Sequence, residues 1–166
     1  MPLAVALAAV SLAAPPTCHG SQLAATFRVI PGSAGAGNIV YALRLRNRST
    51  SPCYVSGLAR LQLLGRAGKR LPTHVVAARP EQLTAVRVVL RPGRYASASA
   101  RFSPDVPGPG EPAAGRRCEP VASQVRVTAP PGTGTTVGPV TPPTSVCEHG
   151  RLSLSALVAG RTPPQG

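Results

Sequence analysis

Tryptophan is absent from this 166-residue chain, and aromatic residues make up only 3% of it. That scarcity excludes the aromatic stacking platform on which single-stranded nucleic acids are held, so no nucleic-acid partner is expected. It also leaves Val, Leu and Ala to build most of the core. Acids are scarce: Glu81, Asp105, Glu111, Glu119 and Glu148 are the only five, against a formal net charge of +13. Lysine is scarcer still, with Lys69 standing alone beside 17 arginines. Nowhere do apolar residues keep a 3.6-residue period over three turns, so little helix beyond a single turn is expected. No apolar run is long enough to span a bilayer, and no membrane-spanning segment is expected in the mature chain.

Proline and glycine are plentiful instead, at 20 and 17 residues. Together they approach the proportion found in chains without a packed core. Cross-links would offset that weakness. The four cysteines, Cys18, Cys53, Cys118 and Cys147, form an even set without a C-x-x-C pair, which points to two disulfides rather than a zinc ribbon or a redox motif. Three connectivities are open. The simplest is sequential, Cys18–Cys53 and Cys118–Cys147, closing two loops that each contribute roughly 3 to 4 kcal/mol in the chain-entropy account. Disulfides require an oxidising compartment. Leu3 to Ala14 fits this, since a short apolar run ending in small residues before Pro15-Pro16 resembles an export leader. The basic residues that normally precede such a run are missing, as they would be if translation began further upstream. Cys18 then lies near the mature end, where a lipid-anchoring role competes with the disulfide; Pro15-Pro16-Thr17 is a poor lipobox and favours the disulfide.

Along the chain, short strands between turn signals read at 22–30, 39–46, 58–64, 83–90, 95–102, 121–128 and 151–158, with period-two alternation in 39–46 and 83–90. In 39–46, Tyr41, Leu43 and Leu45 alternate with Ala42, Arg44 and Arg46, which places the arginines in water. The stretch 71–80 is ambiguous. Pro/Gly-rich 103–117 reads as an irregular excursion, and 130–143 reads as incapable of regular structure. The domain expectation is a leader and linker over 1–17, one β-sandwich domain over 18–159 and a disordered tail over 160–166. About seven short strands between turn signals suggest an all-β, immunoglobulin-like antiparallel sandwich.

Specific residues then carry a family resemblance. Leu43-Arg44-Leu45-Arg46-Asn47-Arg48-Ser49, Ser51-Pro52-Cys53, Gly57, Gly65 to Lys69, Leu90-Arg91-Pro92-Gly93, Cys118, Ala129-Pro130-Pro131-Gly132 and Val146-Cys147 follow one another in order. The pattern resembles an exported actinobacterial domain of unknown function, number four-two-three-two. The resemblance implies a secreted or lipoprotein β-sandwich and no enzymatic role. Asn47 and Ser49 also have a reading of their own, as side chains that bond the backbone of a turn.

Candidate chemistry is sparse. His19 and His149 flank cysteines, so a Cys/His metal site is conceivable if the chain ends meet, but an oxidised cysteine cannot ligate and the spacing fits no zinc pattern. His74 stands apart. No Gly-x-Ser-x-Gly elbow is present, and Asp105, the sole aspartate, lies in a Pro/Gly loop, so Ser97 and Ser99 read as ordinary strand residues and no catalytic residue is expected. Gly32 to Gly37 looks like a phosphate loop but precedes a strand, not a helix, and reads as a hairpin tip. Asn47-Arg48-Ser49 is formally a glycosylation sequon, which the turn reading already accounts for.

No cofactor and no metal are therefore expected. Arg44, Arg46, Arg87, Arg101, Arg126 and Arg151 are the candidate surface for an anionic envelope polymer, a lipid headgroup or an acidic protein. The functional expectation is an extracytoplasmic, envelope-associated binding module rather than an enzyme. The alternatives are a purely structural spacer and, behind it, a hydrolase or metal protein.

Overall fold

The computed structural model describes residues 13–82, 86–113 and 115–164; most of the leader-like run lies outside them. Among the described residues eleven strands follow in chain order: β1 (Leu23–Val29), β2 (Ile39–Asn47), β3 (Cys53–Ser56), β4 (Arg60–Leu64), β5 (His74–Ala77), β6 (Arg87–Leu90), β7 (Tyr95–Phe102), β8 (Ala122–Thr128), β9 (Thr136–Thr144), β10 (Arg151–Leu154) and β11 (Val158–Ala159). One sheet runs β4-β8-β9-β1-β2-β7-β10-β5, with β11 also on β7, and β3 pairs with β6 in a separate ribbon.

The fold is all-β, as the alternation predicts, but it is nearly barrel-shaped rather than a seven-stranded immunoglobulin-like sandwich. The reason lies in β9, within the stretch expected to be irregular. β9 pairs antiparallel with β8 and parallel with β1, joining what would otherwise be two sheets. Pro142 and Pro143 are tolerated because the ladders are interrupted around them, and Pro139 is the last residue paired with β8 before its ladder breaks. β8 pairs with Thr136 to Pro139 and then only with Thr144, β1 reaches only Val140 and Thr141, and Pro142 and Pro143 fall in the gap. A residue without an N–H costs little where no ladder bond is made. At the other end of the path, β4 turns at Gly65 and the chain comes back beside it: Leu71 N–H donates to the Leu63 carbonyl, and Gln62 Nε2 donates to the Leu71 carbonyl at 2.7 Å. That returning segment leads directly into β5, so the two ends of the path approach one another.

Register divides the residues of β1, β2 and β7 cleanly. Phe27, Leu43 and Ala98 share a row that points inward, while Thr26, Arg44 and Ser97 share one that points outward. Three of the five aromatics meet inside, with Tyr41 ring centroids 5.2 Å from Phe27 and 5.1 Å from Phe102. Around them pack Leu23, Leu43, Leu45, Leu152 and Leu154, all buried, with small Ala96, Ala98 and Ala100 on β7. This aromatic trio supplements the aliphatic core expected from composition. Gly138 on β9 sits so close to β1 that an added Cβ would lie 2.0 Å from the Ala25 carbonyl oxygen.

Both disulfides form in the sequential pairing, Cys18–Cys53 and Cys118–Cys147. The first ties the segment before β1 to the start of β3, a strand hidden in the sequence behind the polar cluster 47–52. That cluster is organised by Asn47, which has no exposed surface. Its Nδ2 donates to the Leu90 and Ser51 carbonyls, both at 2.8 Å, and its Oδ1 accepts from the backbone N–H and the hydroxyl of Ser49. The turn reading of Asn47 and Ser49 holds, and the folded chain does not present the sequon asparagine to solvent.

Candidate functional site

The six arginines do not form one patch. Arg44 and Arg46 on β2, Arg101 on β7 and Arg151 on β10 point outward from neighbouring strands of one sheet face, as does Arg28 on β1. Arg126 lies on β8, with β9 and β1 between it and β2. Arg87 belongs to the β3–β6 ribbon, where its guanidinium stacks 3.8 Å above the Tyr54 ring and donates to the Pro15 carbonyl.

On the arginine-bearing face is a cavity of about 520 Å³. Its floor comes from β2, β7 and β10, and its walls are the β1–β2 hairpin tip, Ala78 and Arg79 after β5, and the tail at Thr162 to Pro164. The floor follows from register. Val40 pairs with Arg101, Ala42 with Ser99, and Arg44 with Ser97, so two arginines stand four residues apart along the strands with the small Ala42–Ser99 pair between them. At a rise of about 3.3 Å per residue, that is roughly 13 Å of strand. Ser153 pairs with Arg101 on its other side. Among the described residues, no carboxylate and no histidine lines it.

The tail wall was not expected, since residues 160–166 read as disordered. Gly160 N–H donates to the Tyr95 carbonyl, Arg44 Nε donates to the Arg161 carbonyl at 2.8 Å, and the Arg161 guanidinium lies 4.3 Å above the Tyr95 ring. Pro163 is buried. Tyr95 and Arg161 are 66 residues apart in sequence, and local pattern carries no sign of their stacking. Sequence reasoning also passed over Arg79 and the hydroxyls of Ser33 and Ser153. The Gly32–Gly37 segment is a hairpin tip, as expected, and Ser33 closes it by bonding both the N–H and the carbonyl of Val40.

A second polar cluster joins the 103–117 excursion to the four-residue turn Cys147–Gly150. The Glu111 carboxylate, with 1% of its side chain exposed, accepts the backbone N–H groups of Gly108, Glu148 and His149. His149 Nε2 lies 3.0 Å from the Pro109 carbonyl, which fits a protonated Nε2 donating there, and its Nδ1 lies 3.5 Å from Glu119 and 3.8 Å from Glu111. Burial pushes the Glu111 carboxyl up, but the three N–H donors and the nearby His149 ring outweigh it and hold Glu111 below the usual range. Burial, together with the Glu111 carboxyl beside it, raises Glu119. The Pro109 carbonyl, supported by both carboxylates, raises His149 against a smaller opposing effect of burial.

These oxygen and nitrogen atoms are the described residues nearest in type to a metal-ligand set without cysteine. Because backbone donors already occupy Glu111, the arrangement acts as a latch holding the loop to the turn. The imagined Cys/His cluster is not assembled: all four cysteines are in disulfides, His19 bonds Ser21, and His74 lies on β5 opposite Arg151.

The chain is thus an all-β, disulfide-bonded domain with a basic outer face and a cavity set into it. A family model described as a domain of unknown function (DUF4232) matches residues 18–157, and the chain belongs to that family. No curated protein and no solved structure matches the chain.

Proposed function

We propose that this chain is an exported, cell-envelope-associated binding module without catalytic activity, whose basic outer face takes an anionic ligand. The observation that carries the reading is the cavity of about 520 Å³ lined by Arg44, Arg79 and Arg101 and, among the described residues, by no carboxylate. In a chain with only five acids, a concave surface of one charge sign attracts anions over several ångströms and concentrates them at its mouth. A non-catalytic role is supported by what surrounds the cavity's serines, since among the described lining residues neither a histidine nor an acid is present to serve as base or orienting group. Export is supported by the two disulfides, which persist in oxidising compartments.

The test is equilibrium binding of the oxidised protein to a poly(glycerol phosphate) polymer and to vesicles containing an anionic phospholipid, over a range of salt. The reading expects binding that weakens as salt rises. Indifference to both anions at low salt refutes it. A spacer role draws support from the placement of Arg87 and Arg126 on other surfaces, and it predicts that outcome.

A further inference from the structure

We propose that the outer-face cavity is a binding site for a small amphipathic anion, a phosphate or carboxylate group carried on an apolar body, with the anionic group held at Arg101. This rests on the reading of the chain as an anion-binding module and assigns the ligand's chemistry and orientation.

The two ends of the cavity are not equivalent. At one end Arg44 is already engaged, its Nε donating to the Arg161 carbonyl and so anchoring the tail wall. At the other end Arg101 is exposed, and its guanidinium makes no hydrogen bond or ion pair with any described residue. Ser153 sits beside it in register, and Ser99 comes two residues earlier on the same strand face. A guanidinium flanked by hydroxyls matches the flat, multi-acceptor geometry of phosphate and carboxylate oxygens.

Apolar side chains flank the guanidinium's end and the opposite wall: Val40 is Arg101's register partner, Ile30 bonds Val40 on its other side with Pro31 beyond it, and Pro163 and Pro164 line the tail side. An inorganic anion would leave these apolar walls wetted, whereas an alkyl or acyl body would cover them. The volume lies within the range that encloses small organic ligands, roughly 300 to 1,000 Å³. Arg46, Arg126 and Arg151 carry the same charge and are not among the lining residues.

The experiment uses the oxidised full chain and titrates hexyl phosphate and inorganic phosphate by calorimetry against the native protein, Arg101→Gln and Arg126→Gln. Thermal melts confirm that both variants fold. Hexyl phosphate is expected to bind saturably and at least about 10-fold more tightly than inorganic phosphate, as burial of a few methylenes dictates. Arg101→Gln should weaken it by about 10-fold or more, the worth of a charge-assisted hydrogen bond, while Arg126→Gln should change it by less than about 2-fold. Equal affinity for the two phosphates overturns the proposal, and so does equal loss in the two variants. If hexyl phosphate fails while the glycerol phosphate polymer still binds in a salt-dependent way, the cavity assignment falls and the broader anion-binding reading stands. If neither binds, both fall. Vesicles containing phosphatidylglycerol distinguish the source: binding lost in Arg101→Gln identifies a lipid headgroup, and indifference to vesicles with hexyl phosphate binding intact identifies a free organic anion.

Discussion

Replacing Asn47 by Asp changes almost no volume, yet it should be among the most damaging substitutions this domain can receive. The two amide protons of Asn47 point at the Leu90 and Ser51 carbonyls, each 2.8 Å away, and the residue has no exposed surface. Aspartate turns both donors into acceptors. Two net hydrogen bonds are lost at roughly 1 kcal/mol each, and acceptors left facing an oxygen add roughly 1 to 3 kcal/mol more. The total is about 3 to 5 kcal/mol, a large part of the roughly 5 to 15 kcal/mol by which domains are stable. The melting temperature should fall by roughly 10 °C. Ser49→Ala is the control, because it removes a donor to Oδ1 while leaving the Leu90 and Ser51 contacts in place, and about 1 kcal/mol is expected. The assay is urea unfolding with both disulfides intact, reading the midpoint at constant slope. Acidification should narrow the gap between Asn47→Asp and the native protein, since a protonated carboxyl recovers one donor. A deficit within about 1 kcal/mol of native at neutral pH, or no larger than that of Ser49→Ala, would refute the claim that Asn47 bolts the β2–β3 turn to β6.

Removing Cys118 and Cys147 together as alanines should cost roughly 3.5 kcal/mol by the loop-entropy relation for a separation of 29 residues, measured by the same unfolding assay. Gly138→Ala should destabilise by roughly 1 to 3 kcal/mol, because its methyl meets the Ala25 carbonyl and forces β9 from β1; an unchanged melting temperature would show that the strands separate freely. The Glu111–His149 latch should be pH-dependent on both sides. Glu111 is depressed below its ordinary value of 4.5, so its contribution is present above that value and is lost as pH falls through the folded pKa. His149 is raised above 6.5, so its contribution is full below that value and is lost as pH rises through the folded pKa. Glu119, raised in the fold, opposes stability when ionised and favours the acid side. Protection of the Gly108, Glu148 and His149 amides against hydrogen exchange, with the intrinsic pH dependence of exchange divided out, should therefore be greatest in mild acid, and His149→Ala should reduce the alkaline loss while Glu111→Gln reduces the acid one.

Much of the β structure was legible because it is written in alternation. Residues 95–102 were expected as a strand and are β7 with the same bounds, and the buried Tyr41, Leu43 and Leu45 stand where period two puts them. The disulfide pairing followed the simplest connectivity. β9 was illegible for a physical reason: proline content argues against a strand unless the ladder gaps are known, and those gaps belong to its neighbours β1 and β8. With β9 unread, two packed sheets were expected where one nearly closed sheet and a separate two-stranded ribbon exist. The arginines were correctly found on strands, but a strand's outward residues share a surface only with those of adjacent strands. Adjacency put Arg44, Arg46, Arg101 and Arg151 on one face and sent Arg87 and Arg126 elsewhere.

The residues by themselves determined the class of local structure, the need for cross-links and the sign of the surface charge. These depend on side-chain chemistry and on spacing within one segment. Tertiary structure alone decided which strand closes the sheet, that the tail folds over Tyr95 and that Arg101 lies at a cavity's end. Each of these depends on contacts between residues far apart in sequence, whose energies exist only once the strands have taken their order.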